Sequence, residues 1–576
     1  MVSISPVPAT AQLAGVIPLA DRRPDSAAPR AAARSAAARP RKAAGELSLT
    51  LPGDSGYELE AGARRPTVRR TWLDTFDWRL YRAGLTLEQV TGRGTAELRL
   101  TGRDGTLLAA ERLRPAARGS QDGQGGRVPR WPALLAAVPP GPLAEELAPV
   151  VGVRALLPVV RATSVLREQR ALNGDDKTIA RITADQMSVT AADPLGAPVA
   201  AAPAVPAELP VRLTVTPVRG YQAQAARLES LLAGLPGVLP PGRPALEAAL
   251  AAAGRRPGDY TGRIDVELTA SMPAAAAMAA VMSALLDTLE ANVPGTVRDI
   301  DTEFLHDLRV AVRRTRTALK LTGQVLPGGA RGSFRPEFKW LGDLTTPTRD
   351  LDVYLLGLPE MTAGLAGADP GDLDPFGEQL ARQRARAQRD LARGLRSARF
   401  QRLLRDWRGA LAEAAATARR KPTAARLAAG AIADAHQRVL ADGAAITAAS
   451  PATSLHELRK RCKELRYLLE IFASLHPPGA AWRAVKELKG LQDCLGEFQD
   501  TDVQRGELRA FATEMMAQRQ APAPTLLAMG EISGELARRQ QQARTQFYGL
   551  FREFAAPAGQ ARFQPLTRPA AGQVTG

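Results

Sequence analysis

The rhythm of hydrophobic and polar positions changes once along this chain. Between about residues 46 and 220, apolar and polar residues alternate in short runs: Glu46-Leu47-Ser48-Leu49-Thr50-Leu51, Glu97-Leu98-Arg99-Leu100-Thr101, Thr178-Ile179-Ala180-Arg181-Ile182 and Val211-Arg212-Leu213-Thr214-Val215. A period of two marks strands with one buried face. Gly and Asp clusters separate the runs (Gly102-Arg103-Asp104-Gly105, Asn173-Gly174-Asp175-Asp176), as hairpin turns require. A Gly/Arg loop at 118–130 and an Ala/Pro stretch at 193–210 interrupt them. From about 272 onward the alternation stops, and long Ala/Leu/Arg segments broken at Pro and Gly predict helices. The pattern divides the chain into an arm (1–45), a β-rich domain (46–222), a linker (223–271), a helical domain (272–555) and a loose tail (556–576).

Composition sharpens this division. A chain of 576 residues exceeds one compact core, so two or more domains are expected. It carries 76 Lys+Arg against 59 Asp+Glu, a formal net charge of +17, and only nine of the cations are lysines. Residues 1–44 hold seven basic and two acidic residues with no hydrophobic period, which reads as a disordered basic arm. Two cysteines, Cys462 and Cys494, exclude a disulfide framework and a Cys-based zinc site, and four histidines leave little for His-rich metal chemistry. No metal or cofactor is expected. The uncharged run Met272–Leu286 falls short of the roughly 20 apolar residues that span a bilayer, and the apolar patch at 14–19 has no Lys or Arg before it. The expectation is a cytoplasmic protein without a membrane segment.

The helical half repeats itself at a constant offset of 150. His306, Leu308, Arg309, Arg313 and Arg316 are matched by His456, Leu458, Arg459, Lys463 and Arg466. Further on, Lys339, Leu341, Asp343, Asp350, Asp352 and Val353 are matched by Lys489, Leu491, Asp493, Asp500, Asp502 and Val503. Two separated blocks in one frame imply duplication, with halves of about 272–425 and 426–555. On a helix of 100° per residue, His306, Arg309, Arg313, Arg316 and Lys320 share an arc of about 80°, beside Leu305, Leu308, Val312 and Leu319. His456, Arg459, Lys463 and Arg466 repeat the stripe. Like charges at these spacings repel by a few tenths of a kcal/mol per neighbouring pair, roughly, so carboxylates or an external polyanion must offset them. A solvated surface would produce one such stripe; the duplication and the apolar flank favour a functional one. A second run of arginines, Arg382 to Arg408, has leucines opposite and reads as an ordinary amphipathic surface helix.

Other motifs read as structural. In Asp350-Leu351-Asp352 and Asp500-Thr501-Asp502 the acids point about 200° apart on a helix, so they pair with basic residues or cap helices rather than share a metal. His306-Asp307 lacks the further ligands of a metal phosphohydrolase. Cys462 stands where the first copy has Val312, and Cys494 where it has Leu344, so both read as core residues.

The repeated blocks resemble the CHAD family, the conserved-histidine α-helical domains. The resemblance rests on His306-Asp307-Leu308-Arg309-Val310-Ala311-Val312-Arg313-Arg314-Thr315-Arg316, Thr348-Arg349-Asp350-Leu351-Asp352-Val353 and His456-Glu457-Leu458-Arg459-Lys460-Arg461-Cys462-Lys463-Glu464-Leu465-Arg466-Tyr467. It implies two related helical bundles with a basic surface for inorganic polyphosphate. The implied ligands are His306, Arg309, Arg313, Arg316, Lys320 and Lys339 from one copy and His456, Arg459, Lys463, Arg466 and Lys489 from the other. The β-rich domain resembles the CYTH, or triphosphate-tunnel, barrels through Leu73-Asp74-Thr75-Phe76-Asp77-Trp78-Arg79-Leu80-Tyr81-Arg82-Ala83-Gly84-Leu85-Thr86-Leu87 and Leu157-Pro158-Val159-Val160-Arg161 through Asp185. The family's Glu-x-Glu-x-Lys strand here reads Glu46-Leu47-Ser48-Leu49-Thr50, and its late acidic strand reads Arg212-Leu213-Thr214-Val215-Thr216. Arg99, Arg161, Arg167 and Arg181 remain to line a tunnel.

The expected fold is thus multidomain α+β: an antiparallel, CYTH-like β-barrel or tunnel, then an all-α domain of two duplicated bundles. The expected function is non-catalytic polyphosphate binding, with polyphosphate granules as a location. The alternatives are a metal-dependent triphosphatase in the tunnel and non-specific nucleic-acid binding.

Overall fold

A computed structural model describes residues 15–17, 51–53, 55–64, 67–113, 128–190, 195, 206–240, 242–326, 329–365, 367, 369–418 and 422–568. The run Glu46–Thr50, most of the basic arm and most of both interrupting stretches lie outside the described residues. The chain forms two compact units, Met1–Tyr260 and Thr261–Gly576.

The first unit is one antiparallel sheet. Its strands are β1 (Gly15–Ile17), β2 (Tyr57–Arg64), β3 (Val68–Asp74), β4 (Leu85–Thr91), β5 (Ala96–Gly102), β6 (Leu107–Leu113), β7 (Leu157–Asn173), β8 (Thr178–Thr190), β9 (Ala207–Glu208) and β10 (Val211–Pro217). The order is β1-β10-β8-β7-β3-β4-β5-β6, with β2 also on β7 and β9 also on β8. The three alternating runs within the described residues fall in β5, β8 and β10. β1 sits inside the arm read as disordered and pairs with β10.

The expected barrel is corrected: among the described residues the sheet is open, with β1 and β6 at its ends. Helices cover its apolar patches where a closed barrel would use its own far wall. After the short α1 (Arg79–Arg82), helix α2 (Pro142–Val151) sets Leu143, Leu147 and Val151 against Leu87, Leu98 and Leu100. Helices α3 (Gln222–Ala233) and α4 (Ala245–Ala252) bury Leu228 and Leu232 against Ile182 and Val215, and Leu246 and Leu250 against Trp72 and Val160. These two helices occupy the segment read as a linker and extend the unit to Tyr260. The rest of that segment belongs to the helical unit, where Leu268 is buried and its N–H donates to Ser474 Oγ at 3.1 Å.

The second unit is all helical: α5 (Ala274–Arg298), α6 (Thr302–Thr322), α7 (Ala330–Ala363), α8 (Asp374–Leu395), α9 (Ala398–Ala416), α10 (Ala424–Ala444), α11 (Ala452–Ile471), α12 (Ala480–Ala517), α13 (Ala523–Ala555) and α14 (Pro557–Ala561). Helix α5 is long and apolar enough to cross a membrane by length and composition, yet Val281, Met282, Leu285, Leu286 and Leu289 on it are buried in the core. The tail expected to be loose contributes to that core as well, since Phe563 and Leu566 are fully buried and Phe563 stacks on His436 at 4.3 Å.

The offset of 150 holds in three dimensions. Helices α5 and α10, α6 and α11, and α7 and α12 each begin 150 residues apart. Gly329 and Gly479, which precede α7 and α12, both adopt left-handed φ, 70° and 79°. Such φ favours glycine, so the sequence repeats a residue that the geometry requires.

Candidate functional site

Contacts between the copies define a twofold axis. Pro273 pairs in an antiparallel bridge with its own equivalent, Thr423, and the flanking bonds are reciprocal: Ala274 N–H donates to Pro422 O at 2.9 Å and Ala424 N–H to Met272 O at 2.7 Å. On α6 and α11, Arg314 pairs with Glu470 at 2.7 Å and Lys320 pairs with Glu464. Because 314 corresponds to 464 and 320 to 470, each contact is the other's image, as a self-complementary twofold interface demands. Farther along, Tyr354 Oη donates to the carbonyl of its equivalent residue, Gln504, at 2.8 Å.

The basic stripes lie on the two helices that cross at this axis, and Arg313 of one acts through space on Lys463 of the other. Asp301 caps α6 by accepting from the N–H groups of Glu303 (2.9 Å) and Phe304 (3.2 Å), and Leu305, Leu308, Val312 and Leu319 anchor the helix in the core. The polar side of α6 then carries His306, Arg309, Arg313 and Arg316 next to α7. Arg309 is half-buried. Its Nη1 donates to Thr345 Oγ1 and Thr346 Oγ1, both at 2.9 Å, and burial, with Arg313, Arg349 and Arg316 nearby and only Asp350 opposing, lowers its pKa to about 10. Arg316 is exposed and lies over Gly342, where an added Cβ would meet its Nη1 at 2.7 Å. On the second copy Arg459 pairs with Asp500 at 2.9 Å, and Arg466 reaches Gln492, the equivalent of Gly342, at 3.4 Å.

Arg313 and Lys463, at equivalent positions, have no hydrogen bond or ion pair with any described residue. Arg313 is close enough to act on Lys463 through space. Burial, Arg459, Arg313 and Arg466 together lower the lysine's pKa to about 7, against a weaker opposing pull from Asp500. Cations from both copies therefore act on one another, with Asp350 and Asp500 as the carboxylates among them.

The histidines differ. His306 is held below its ordinary range by burial and by the charge of Arg349. In the second copy, residue 499 is glutamine, and the Nδ1–H of His456 donates to Gln499 Oε1 at 2.5 Å. Arg349 is the site residue that sequence reasoning passed over. It stood inside a quoted motif, but its partner at 499 is uncharged, so matching the copies removed it. Its signal was its place beside Asp350.

Of the expected ligands, Arg459 and Arg466 are ion-paired, the latter with Glu470 at 3.3 Å, and three lysines are as well. Lys320 is paired with Glu464, Lys339 with Asp343 at 2.6 Å, and Lys489 with Asp493 in the same i,i+4 geometry. Three of the four acids of the Asp-x-Asp motifs hold basic or amide groups: Asp352 pairs with Arg384 at 2.8 Å, Asp500 with Arg459 at 2.9 Å, and Asp502 accepts from Gln540 at 2.9 Å, whereas Asp350 only lies in the field of Arg309, Arg349 and Arg313. Within Arg382–Arg408, most ion pairs are local or exposed, as on a solvated helix face. Cys462 and Cys494 are free and buried, and burial raises their thiols to about 12 and about 11.

The first unit has a polar centre of a different kind. Arg70 on β3 donates to Asp185 Oδ2 at 2.8 Å and pairs with Glu88 on β4, so two carboxylates hold one guanidinium. It borders a cavity of about 520 Å³ that Arg212, Tyr81 and Glu247 also line. Arg99, Arg161 and Arg181 are exposed. Among the described residues no cluster of three or more His, Cys, Asp or Glu could hold a metal ion.

The CHAD domain model matches residues 280–509. Among solved structures, the crystal structure of the CHAD domain from the plant Ricinus communis is similar at 26% identity, covering 50% of this chain and 95% of that one, with a TM-score of 0.44. PptA from Streptomyces chartreusis is similar at 18% identity, covering 49% and 99%, with a TM-score of 0.39. No curated protein matches the chain significantly.

Proposed function

With residues 280–509 a CHAD domain, we propose that the chain binds inorganic polyphosphate on the surface where α6 and α11 face each other. The observation that carries this reading is the pair Arg313 and Lys463: two cations from separate copies that act on each other through space, neither within ion-pair distance of a carboxylate. Leaving such groups near one another is unfavourable unless an anion joins them. The ligands proposed are His306, Arg309, Arg313, Arg316 and Arg349 with His456, Arg459, Lys463 and Arg466. Lys320, Lys339 and Lys489 are ion-paired, as are Arg459 with Asp500, Arg466 with Glu470 and Arg349 with Glu303, and the three lysines are read as serving at the margin.

The twofold arrangement favours this ligand over nucleic acid. A linear polyphosphate reads the same from either end, whereas a nucleic-acid strand has direction. Two antiparallel stripes that present matching residues to either end suit the first. Base recognition would also want exposed aromatic platforms, and α6 carries no aromatic residue beyond the buried Phe304. The first unit is read as a CYTH-like domain without metal-dependent turnover, because Arg70 already fills the space between Glu88 and Asp185.

Titration of the full chain with long-chain polyphosphate, with orthophosphate and DNA as competitors at several salt concentrations, tests the proposal. Polyphosphate should bind with an affinity that falls steeply with salt, because neutralised phosphates release counterions. Orthophosphate at equal phosphorus and DNA should compete poorly. Equal affinity for orthophosphate, or displacement by DNA at matched charge, would overturn it.

A further inference from the structure

At the offset of 150, α7 and α12 carry the same glutamate, and both copies give it a guanidinium. Glu337 takes Arg399 through two bonds of 2.8 and 3.0 Å, and Glu487 takes Arg562. Three residues further on the copies part. In the first, Trp340 lies beneath Arg399, whose guanidinium carbon stands 4.2 Å from the ring centroid. In the second, the equivalent residue is Gly490, and it borders a cavity of about 450 Å³ together with Glu487, Leu550 and Arg562. Neither a turn nor packing requires glycine there. It lies inside α12, and an added Cβ would meet only Leu550, at an ordinary 3.7 Å. Glycine within a helix is less stable than alanine, so what Gly490 supplies is space. The cavity also gains charge, since Arg483 and Lys486 line it where the first copy has Ser333 and Pro336. Both are exposed, and neither has an ion pair or a side-chain hydrogen bond with any described residue.

We propose that this cavity binds a purine nucleotide, whose base takes the place that Trp340 fills in the first copy and whose phosphate lies between Arg483 and Lys486. An indole and a purine are both flat, fused six- and five-membered rings. A slot that takes one beside a glutamate-held guanidinium suits the other, because a guanidinium stacks on either face. The phosphate dianion matches two cations that have no acid of their own. Glu553, which also lines the cavity, disfavours a bare phosphate and offers ribose hydroxyls an acceptor. The cavity shares no residue with the surface proposed for polyphosphate, so the inference stands or falls independently of that reading.

Calorimetric titration of the full chain with AMP tests the proposal, beside ribose 5-phosphate, adenosine and UMP. AMP should bind. Ribose 5-phosphate, which lacks the ring, and adenosine, which lacks the charge, should each bind about tenfold or more weakly, the worth of one stacked base or one charged contact. UMP, with a single ring, should bind more weakly than AMP. Gly490→Trp puts the first copy's indole into the cavity and should lower AMP affinity by about tenfold or more through loss of the stacking site. Arg483→Ala with Lys486→Ala changes only exposed side chains and should weaken AMP by about tenfold or more, so the test does not depend on Gly490→Trp folding. Melting curves confirm that each variant is folded. Absence of AMP binding to the wild type, equal binding of ribose 5-phosphate, adenosine or UMP, or unchanged AMP affinity in either folded variant would overturn the inference.

Discussion

Arg309 and Arg313 lie one turn apart on the same helix, and the fold treats them differently. Arg309 is given two hydroxyls; Arg313 has no hydrogen bond or ion pair with a described residue, and both act on Asp350 through space. A helical wheel places both on the stripe but is blind to what another helix brings. For the same reason Lys320 read as a ligand: Glu464, 144 residues away, becomes its partner only once α6 and α11 cross the twofold axis. Removing each should therefore have separate effects. Lys320→Ala is expected to change polyphosphate affinity less than about threefold and to cost up to about 1 kcal/mol of stability, the range of a partly exposed ion pair. Arg313→Ala is expected to weaken binding by roughly ten- to a hundredfold, the worth of a charged hydrogen bond, with thermal stability unchanged or raised. Affinity measured beside melting curves checks both, and the opposite assignment of effects would refute the division.

Helices were legible in outline because duplication shows which positions matter. The starts of α6 and α11 and of α7 and α12, and the left-handed glycines before α7 and α12, all fall at the offset that the polar residues announced. Packing within each copy was not legible, since the copies have diverged in compensating pairs. Gly295 on α5 lies so near the buried Phe304 that an added Cβ would stand 2.3 Å from the ring. At the equivalent positions the second copy has Ala445 and Ser454, a larger residue in place of the glycine and a smaller one in place of the phenylalanine. Gly295→Ala should therefore destabilise the helical unit by about 1–3 kcal/mol through overpacking. Gly295→Ala with Phe304→Ser should be less destabilised than the two single changes summed. Chemical denaturation of the four proteins measures this coupling; strict additivity would mean that the two residues do not constrain each other.

At the scale of the whole chain, the division into a sheet unit and a helical unit was readable from the change of period near residue 272. The openness of the sheet was not, because alternation reports which face of a strand is buried and not what covers it. In the first unit α2, α3 and α4 do the covering. In the second, the account depends on the twofold axis, which brings two ordinary basic helix faces together into one surface. A long polyanion spanning both copies gains from effective concentration, so each half should matter to a similar degree. The most direct measurement is polyphosphate affinity for Arg313→Ala with Arg316→Ala, for Lys463→Ala with Arg466→Ala, and for all four together, each confirmed as folded by its melting curve. The shared surface predicts comparable losses of about tenfold or more for the two double variants, and binding reduced to the level of non-specific charge for the quadruple one. Abolition by one pair beside no effect of the other, in folded proteins, would contradict it.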